Sequence, residues 1–271
     1  MSVKNNTIKN SRVGGGSAVF DVSEVPVLVI IGPTASGKTS LAIDISLALS
    51  KRRICESEII SADSRAIYKG MDIGTAKPTR EEMQGVPHWG IDLAEPNDRF
   101  TVVDFCEYAQ KKITEIRGRG HLPIVAGGTG LYVDALVYAY RFNDVVKKTY
   151  SDRQEMSSDF LVFGIDWPRE ELKDRILLRS NKLFAQPIEE ETLALVERYG
   201  WDSQAMKSDV YPICWDMMMG KISREEAIAL NAIDDWHLAK RQLTWFKRNR
   251  NIKWIPLDGA VERIINFYIT R

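Results

Sequence analysis

Gly32-Pro33-Thr34-Ala35-Ser36-Gly37-Lys38-Thr39 fits the phosphate-loop pattern G-x-x-x-x-G-K-[ST], and its flanks fit as well. The apolar run Val25–Ile31 before it has the character of a buried strand, and Ser40–Ser50 after it places Leu41, Ile45 and Leu49 on one helical face. Glycines let such a loop curl so that several N–H groups point at one anion, aided by the positive end of the following helix. Lys38 supplies a point charge for a terminal phosphate, and the Thr39 hydroxyl offers a ligand to Mg²⁺. The motif predicts a phosphate-bearing ligand without saying which one.

Outward from the loop, short apolar runs alternate with helical patterns. Strands are expected at Val25–Ile31, Glu58–Ser61, His88–Leu93, Leu122–Ala126, Phe160–Asp166 and Asn251–Pro256. Helices are expected at Ser40–Ser50, at Val102–Arg117, from Pro168 through Leu183, at Ile188–Tyr199, at Asp209–Met219 and at Ser223–Arg250. The last carries a capping-box spacing, Ser223 to Glu226, and a break is possible near Asp234. This alternation implies an α/β fold: a P-loop NTPase-like parallel sheet with flanking helices and a helical C-terminal part. Ligands of such sheets bind beyond the carboxyl ends of the strands. The expected organisation is a flexible tail over 1–23, a core over 24–141, a short connector over 142–159, and the remaining strands and helices over 160–271.

Composition narrows the function classes. The 271 residues carry 37 basic and 37 acidic side chains, so net charge does not advertise a nucleic-acid partner. Cys55, Cys106 and Cys214 lie far apart, as do His88, His121 and His237. That spacing argues against a disulfide framework or a zinc site and for a reducing compartment. No apolar run approaches a membrane span, and residues 1–21 lack the apolar centre of a signal peptide. A cytoplasmic protein without membrane attachment is expected.

Three further segments carry chemistry. In Ser61-Ala62-Asp63-Ser64-Arg65, Asp63 ends the second strand on the phosphate-loop edge; it suits a general base or a water-mediated Mg²⁺ ligand, and equally a helix N-cap. Tyr68–Pro78 has two glycines, a proline and two lysines, which make it a loop: a functional one or an ordinary solvated turn. In Gly127-Gly128-Thr129-Gly130-Leu131-Tyr132 a strand runs into a glycine-rich turn, whose Thr129 and neighbouring N–H groups are expected to face the phosphate loop. Near the C-terminus, Lys240, Arg241, Lys247, Arg248, Arg250 and Lys253 are interleaved with Trp236, Trp245, Phe246 and Trp254. Such a pattern suits RNA, although Trp245 and Phe246 are expected to pack inward.

In order and nearly word for word, these segments resemble the tRNA dimethylallyltransferase (tRNA isopentenyltransferase) family. Its motifs G-P-T-A-S-G-K-T, S-A-D-S, Y-x-G-M-D-I-G-T-A-K-P, P-H-x-x-I-D and G-G-T-G-L-Y match Gly32–Thr39, Ser61–Ser64, Tyr68–Pro78, Pro87–Asp92 and Gly127–Tyr132, and A-K-R-Q-x-T-W matches Ala239–Trp245. The resemblance implies transfer of a dimethylallyl group from dimethylallyl diphosphate to N6 of adenine 37 in a tRNA anticodon stem-loop, with Mg²⁺ as cofactor and the protein a monomer. It implies catalytic roles for Asp63 and Thr129. It assigns the diphosphate to Gly32, Thr34, Ala35, Ser36, Gly37, Lys38, Thr39 and Arg241, and metal binding to Thr39. Substrate or tRNA contacts fall to Ser64, Asp72, Gly74, Thr75, Lys77, Lys240 and Gln242.

The chain also departs from the family pattern. The large helical insertion after G-G-T-G-L-Y is missing, with Phe142–Asp159 in its place. Ala66 stands where the family has Gln, the segment Lys207–Ile213 keeps Tyr211 but not the diphosphate-contacting Arg, and Asp235-Trp236 replaces Thr-Arg. Lysine at 207 lacks the planar fork that arginine offers a phosphate. Transfer to free adenylate, phosphoryl transfer as a kinase or NTPase, and a non-catalytic RNA- or nucleotide-binding role remain the competing readings.

Overall fold

A computed structural model describes residues 21–140, 155–207 and 210–270. The expected tail up to residue 20, most of the connector over 142–159, and Ser208 and Asp209 lie outside the described residues.

The centre of the fold is β1 (Val27–Ile31), in which every residue is buried. A strand made only of Val, Leu and Ile has no face to give to water and suits the middle of a doubly covered parallel sheet. Leu28 and Ile30 pack on one side against Leu41 and Ile45 of α1 (Lys38–Lys51). Val27, Val29 and Ile31 pack on the other against Phe105, Ala109 and Ile113 of α2 (Val102–Gly118). The two faces of one strand thus nucleate two hydrophobic layers.

Around β1 the strands β2 (Ser57–Ser61), β3 (His88–Trp89), β4 (Leu122–Gly127), β5 (Phe160–Asp166) and β6 (Lys253–Pro256) form a six-stranded sheet in the order β3-β2-β4-β1-β5-β6. All its pairings are parallel. Ile31 stands opposite Gly127 and Ser61 opposite Ala126, so three loops leave the carboxyl edge side by side: the phosphate loop, the Asp63 turn and the Gly127–Gly130 turn. This register brings together residues about a hundred positions apart.

All six expected strands are present, but β3 is two residues rather than six. Gly90 turns away at φ +80, and its Cα is so close to the Ser61 carbonyl that a Cβ there would lie 2.7 Å from the oxygen. The chain continues through α3 (Gly130–Val137), α4 (Arg169–Phe184), α5 (Ile188–Tyr199), α6 (Tyr211–Met218), α7 (Arg224–Phe246) and α8 (Ala260–Ile269). Pro168 is the residue before α4 rather than its first, and α6 begins at Tyr211. Helix α7 opens with the expected Ser223–Glu226 capping box, runs without a break through Asp234, and ends at Phe246. Asp235 is held by a partner on α4, and the register of α7 is kept. Buried residues of α4, α5 and α6 make a separate cluster that also takes in Met71. Among the described residues no helix is long and apolar enough to cross a membrane.

Candidate active site

The three loops at the carboxyl edge, the Tyr68–Pro78 loop, α4 and α7 enclose a cavity of about 720 Å³. Of the residues singled out in the sequence, Thr34, Ala35, Gly37, Lys38, Thr39, Asp63, Ser64, Gly74, Thr75, Lys77, Thr129, Arg241 and Gln242 line it. Gly32, Ser36, Asp72 and Lys240 do not.

The phosphate loop is built from behind. Gly37 (φ +85) and Ala35 (φ +60) adopt left-handed backbone, which reverses the chain into α1. A Cβ on Gly32 would lie 2.5 Å from Ser36 Oγ, so Gly32 and Ser36 shape the turn beneath the ligand rather than touch the cavity. Trp167 Nε1 donates to Ser36 O at 3.0 Å and Arg175 Nε to Ala35 O at 2.8 Å. With its carbonyls tied to the strand-β5 side, the loop keeps its concave face for an anion. Gln242 joins two loops: its Oε1 accepts from Thr34 N at 2.7 Å and its Nε2 donates to Gly128 O at 3.0 Å. That side chain is a strap between the phosphate loop and the β4 turn.

Lys38 is half-buried, and its lost hydration pushes its ammonium below the ordinary lysine value; Asp63 and Asp235 oppose this shift and Arg179 adds to it. An anion in the cavity would offset this positive charge. Thr39 lines the same space.

Asp63 does not cap a helix, because none begins there. Its Oδ1 accepts from Arg65 N at 2.9 Å, closing a turn that holds the carboxylate at the cavity wall. Thr129 Oγ1 accepts from Ser64 N at 2.9 Å and donates to Ser64 Oγ at 3.2 Å. The Thr129 N–H is spent on Ala62 O at 3.2 Å, while Gly128, Thr129 and Gly130 line the cavity opposite the phosphate loop. Trp245 packs on Gly130, where a Cβ would lie 2.3 Å from the indole, and donates to Asp134 Oδ2 at 2.8 Å. Trp245 and Phe246 point inward as expected, Phe246 being fully buried.

The Tyr68–Pro78 segment is an ordered wall, not a solvated turn. Lys77 Nζ is enclosed by Tyr68 O (2.9 Å), Asp72 Oδ1 (2.5 Å) and Asp92 Oδ1 (2.6 Å). Its charge therefore holds the loop in shape, and Asp72 serves this ion pair from the outer side. Lys240 is exposed and lies over the Trp236 ring, 5.9 Å from its centre.

Sequence reasoning missed Arg179. Its NH1 donates to Thr34 Oγ1 at 2.9 Å and to Asp235 Oδ2 at 2.5 Å, and both residues line the cavity. The available signal was the four-residue spacing of Arg175 and Arg179, which sets both on one face of α4. It also missed Glu191 of α5, whose carboxylate receives the backbone of the Tyr68–Pro78 loop.

The oxygen donors at the cavity would suit Mg²⁺. Among the described residues no cluster of three His, Cys, Asp or Glu side chains is placed to hold a metal. Mg²⁺ keeps several waters and takes only one or two oxygen ligands from a protein, the rest coming from substrate phosphates. Thr39 and, across the cavity, Asp63 supply that number.

Comparison with known proteins follows the same lines. Residues 66–157 and 145–249 match the family model described as IPP transferase. The chain is 35% identical to a tRNA dimethylallyltransferase of Bacillus mycoides (strain KBAB4) over 309 aligned positions, covering 92% of this chain and 96% of that protein. It is 37% identical to a tRNA dimethylallyltransferase of Acetivibrio thermocellus, covering 88% and 95%. Both alignments are longer than the chain's 271 residues, so these relatives carry segments with no counterpart here. The solved tRNA delta(2)-isopentenylpyrophosphate transferase of Staphylococcus epidermidis superimposes with a TM-score of 0.78 at 33% identity, covering 91% of this chain and all of that one.

Proposed function

The chain belongs to the IPP transferase family, and on that premise we propose that it transfers a dimethylallyl group from dimethylallyl diphosphate to N6 of an adenine in tRNA, at position 37 of the anticodon loop. The observation that carries this reading is the meeting of Lys38, Thr39, Asp63 and Thr129 around one cavity of about 720 Å³, phosphate-binding groups on one wall and a carboxylate on another.

In this reading the phosphate loop holds the diphosphate of the donor. Its unspent N–H groups, Lys38, Arg179 and Arg241 stabilise the charge that grows on the bridging oxygen as the allylic C–O bond breaks. Thr39, with Asp63 through water, would hold Mg²⁺, whose chemistry there is neutralisation of the pyrophosphate. The adenine N6 attacks the allylic carbon and a new C–N bond forms. An exocyclic amine is a poor nucleophile, and Asp63 takes the proton it loses. Thr129, bonded to Ser64, keeps the turn that carries Asp63 in register with β4. The adenine leaves the loop stack to reach the cavity, at a cost of a few kcal/mol that is smaller in a loop than in a duplex.

The basic, tryptophan-bearing C-terminal part of α7 supports an RNA acceptor, with Arg241 at the cavity and Lys240 beside it on the outer surface. The free thiols Cys55, Cys106 and Cys214 support a reducing, cytoplasmic setting.

The test is a competition of acceptors. Labelled dimethylallyl diphosphate and Mg²⁺ are offered with an anticodon stem-loop bearing adenine 37, or with AMP. Label in the stem-loop and none in AMP is the expected result; label in AMP alone assigns the chain to free-nucleotide prenylation.

A further inference from the structure

Three consecutive backbone N–H groups of the Tyr68–Pro78 loop converge on one carboxylate. Asp72 N and Ile73 N donate to Glu191 Oε2 at 3.0 and 2.7 Å, and Gly74 N donates to Glu191 Oε1 at 2.9 Å. The Tyr211 hydroxyl donates to the same Oε1 at 2.8 Å. Successive N–H groups of this kind form a nest for an anion, and here the anion is supplied by the first turn of α5. Because the acceptor is ionised, each bond is stronger than its neutral counterpart.

The contact extends beyond the carboxylate. Tyr211 is fully buried, and its ring occupies the space where residue 74 would carry a side chain: a Cβ on Gly74 would lie 2.5 Å from Tyr211 Cζ. The loop is therefore docked on α5 and α6 by charge and by shape. Gly74, the last docked residue, and Thr75 and Lys77 after it reach the cavity, whereas Glu191 does not. The phosphate loop is anchored elsewhere, through Trp167, Arg175, Arg179 and Gln242. Among the described residues no hydrogen bond joins the two loops.

We propose that Glu191 is a positioning residue for the acceptor: its carboxylate fixes Asp72–Gly74, so that the following residues present a preformed wall to the adenine-bearing strand. This rests on the prenyl-transfer reading. Separate anchoring makes the effect separable, because loosening this wall raises the cost of seating RNA and leaves the diphosphate side unchanged. A neutral amide cannot replace the carboxylate, since its NH₂ would face N–H donors.

Steady-state transfer from dimethylallyl diphosphate to the stem-loop is measured with the full chain and with Glu191→Gln, Glu191→Asp and Tyr211→Phe, alongside binding of inorganic pyrophosphate. Glu191→Gln is expected to raise KM for the stem-loop about tenfold or more, as loss of charge-assisted hydrogen bonds implies. Pyrophosphate affinity and donor KM should stay within about twofold of the parent chain. Glu191→Asp should recover part of the loss. Tyr211→Phe keeps the ring and removes the hydroxyl's bond to Glu191, so a smaller increase in the same direction is expected, and it decides the matter if Glu191→Gln does not fold. An unchanged stem-loop KM, or an equal rise in donor KM, overturns the proposal while leaving the prenyl-transfer reading intact. A parent chain that binds pyrophosphate but transfers nothing to the stem-loop removes that reading, and this inference with it.

Discussion

Arg179 and Asp235 meet at 2.5 Å beside the phosphate loop, and the same guanidinium nitrogen reaches the Thr34 hydroxyl at 2.9 Å. The pair is partly buried, so neither charge is fully served by solvent. One member adds positive potential to an anion site and the other subtracts it.

The two side chains therefore have opposite effects on pyrophosphate. Arg179→Gln removes a donor and leaves Asp235 unpaired near Lys38; a loss of roughly ten- to a hundredfold in affinity is expected. Asp235→Asn removes the competing negative charge, and pyrophosphate should bind more tightly even as the fold loses stability. Calorimetric titration of both variants checks this, and weaker binding by Asp235→Asn would contradict it.

Gly130 is needed for close approach. A Cβ there would lie 2.3 Å from Trp245 Cδ1 and would force the indole out of its bond to Asp134. Gly130→Ala is expected to cost about 1–3 kcal/mol, the range for overpacking in a filled interior. Urea unfolding followed by tryptophan fluorescence gives the value, and an unchanged midpoint would show that Trp245 is free to move.

Glu58, at the opposite end of β2, predicts the acid limb of stability. Its side chain is 3% exposed and accepts from Trp89 Nε1 at 2.6 Å, from two Arg119 nitrogens at 2.8 Å each, and contacts His121 Nδ1 at 2.8 Å. Burial alone would raise its pKa; the hydrogen bonds from Arg119, Trp89 and His121 outweigh burial and hold it at about 2, against an ordinary 4.5. A carboxyl depressed on folding stabilises fully above its unfolded value, and that contribution is lost as pH falls through the folded one. Between pH 6 and pH 3 the parent chain should lose about 2 kcal/mol more than Glu58→Gln. Denaturant midpoints at the two pH values measure the difference, and parallel losses would remove Glu58 as the cause.

The sheet was legible because its central strands are short apolar runs that lead into glycine turns, as in Val27–Ile31 before Gly32 and Leu122–Gly127. The phosphate loop and the Asp63 and Gly127–Gly130 turns were legible because local spacing encodes them. Strand β3 was overestimated: the run from His88 looks extended, but only tertiary crowding of Gly90 against Ser61 stops it. Arg179 and Glu191 stayed hidden for a related reason. Each acts on a loop more than a hundred residues away, and a single charged residue on a helix looks like a solvated one until the partner element is in place. Gln242 lay inside a quoted motif, yet its work as a strap between two loops depends on the register of β1 and β4.

In the proposed reaction the phosphate loop holds a leaving group rather than a triphosphate undergoing hydrolysis. The direct measurement uses dimethylallyl diphosphate labelled at the allylic carbon, with the stem-loop, Mg²⁺ and either the parent chain or Asp63→Ala. Label in the RNA, with one pyrophosphate released per group transferred, is expected from the parent chain. No transfer is expected from Asp63→Ala, which should bind pyrophosphate with little change. Normal turnover by Asp63→Ala, or no RNA labelling by a parent chain that hydrolyses ATP, would contradict the proposed reaction.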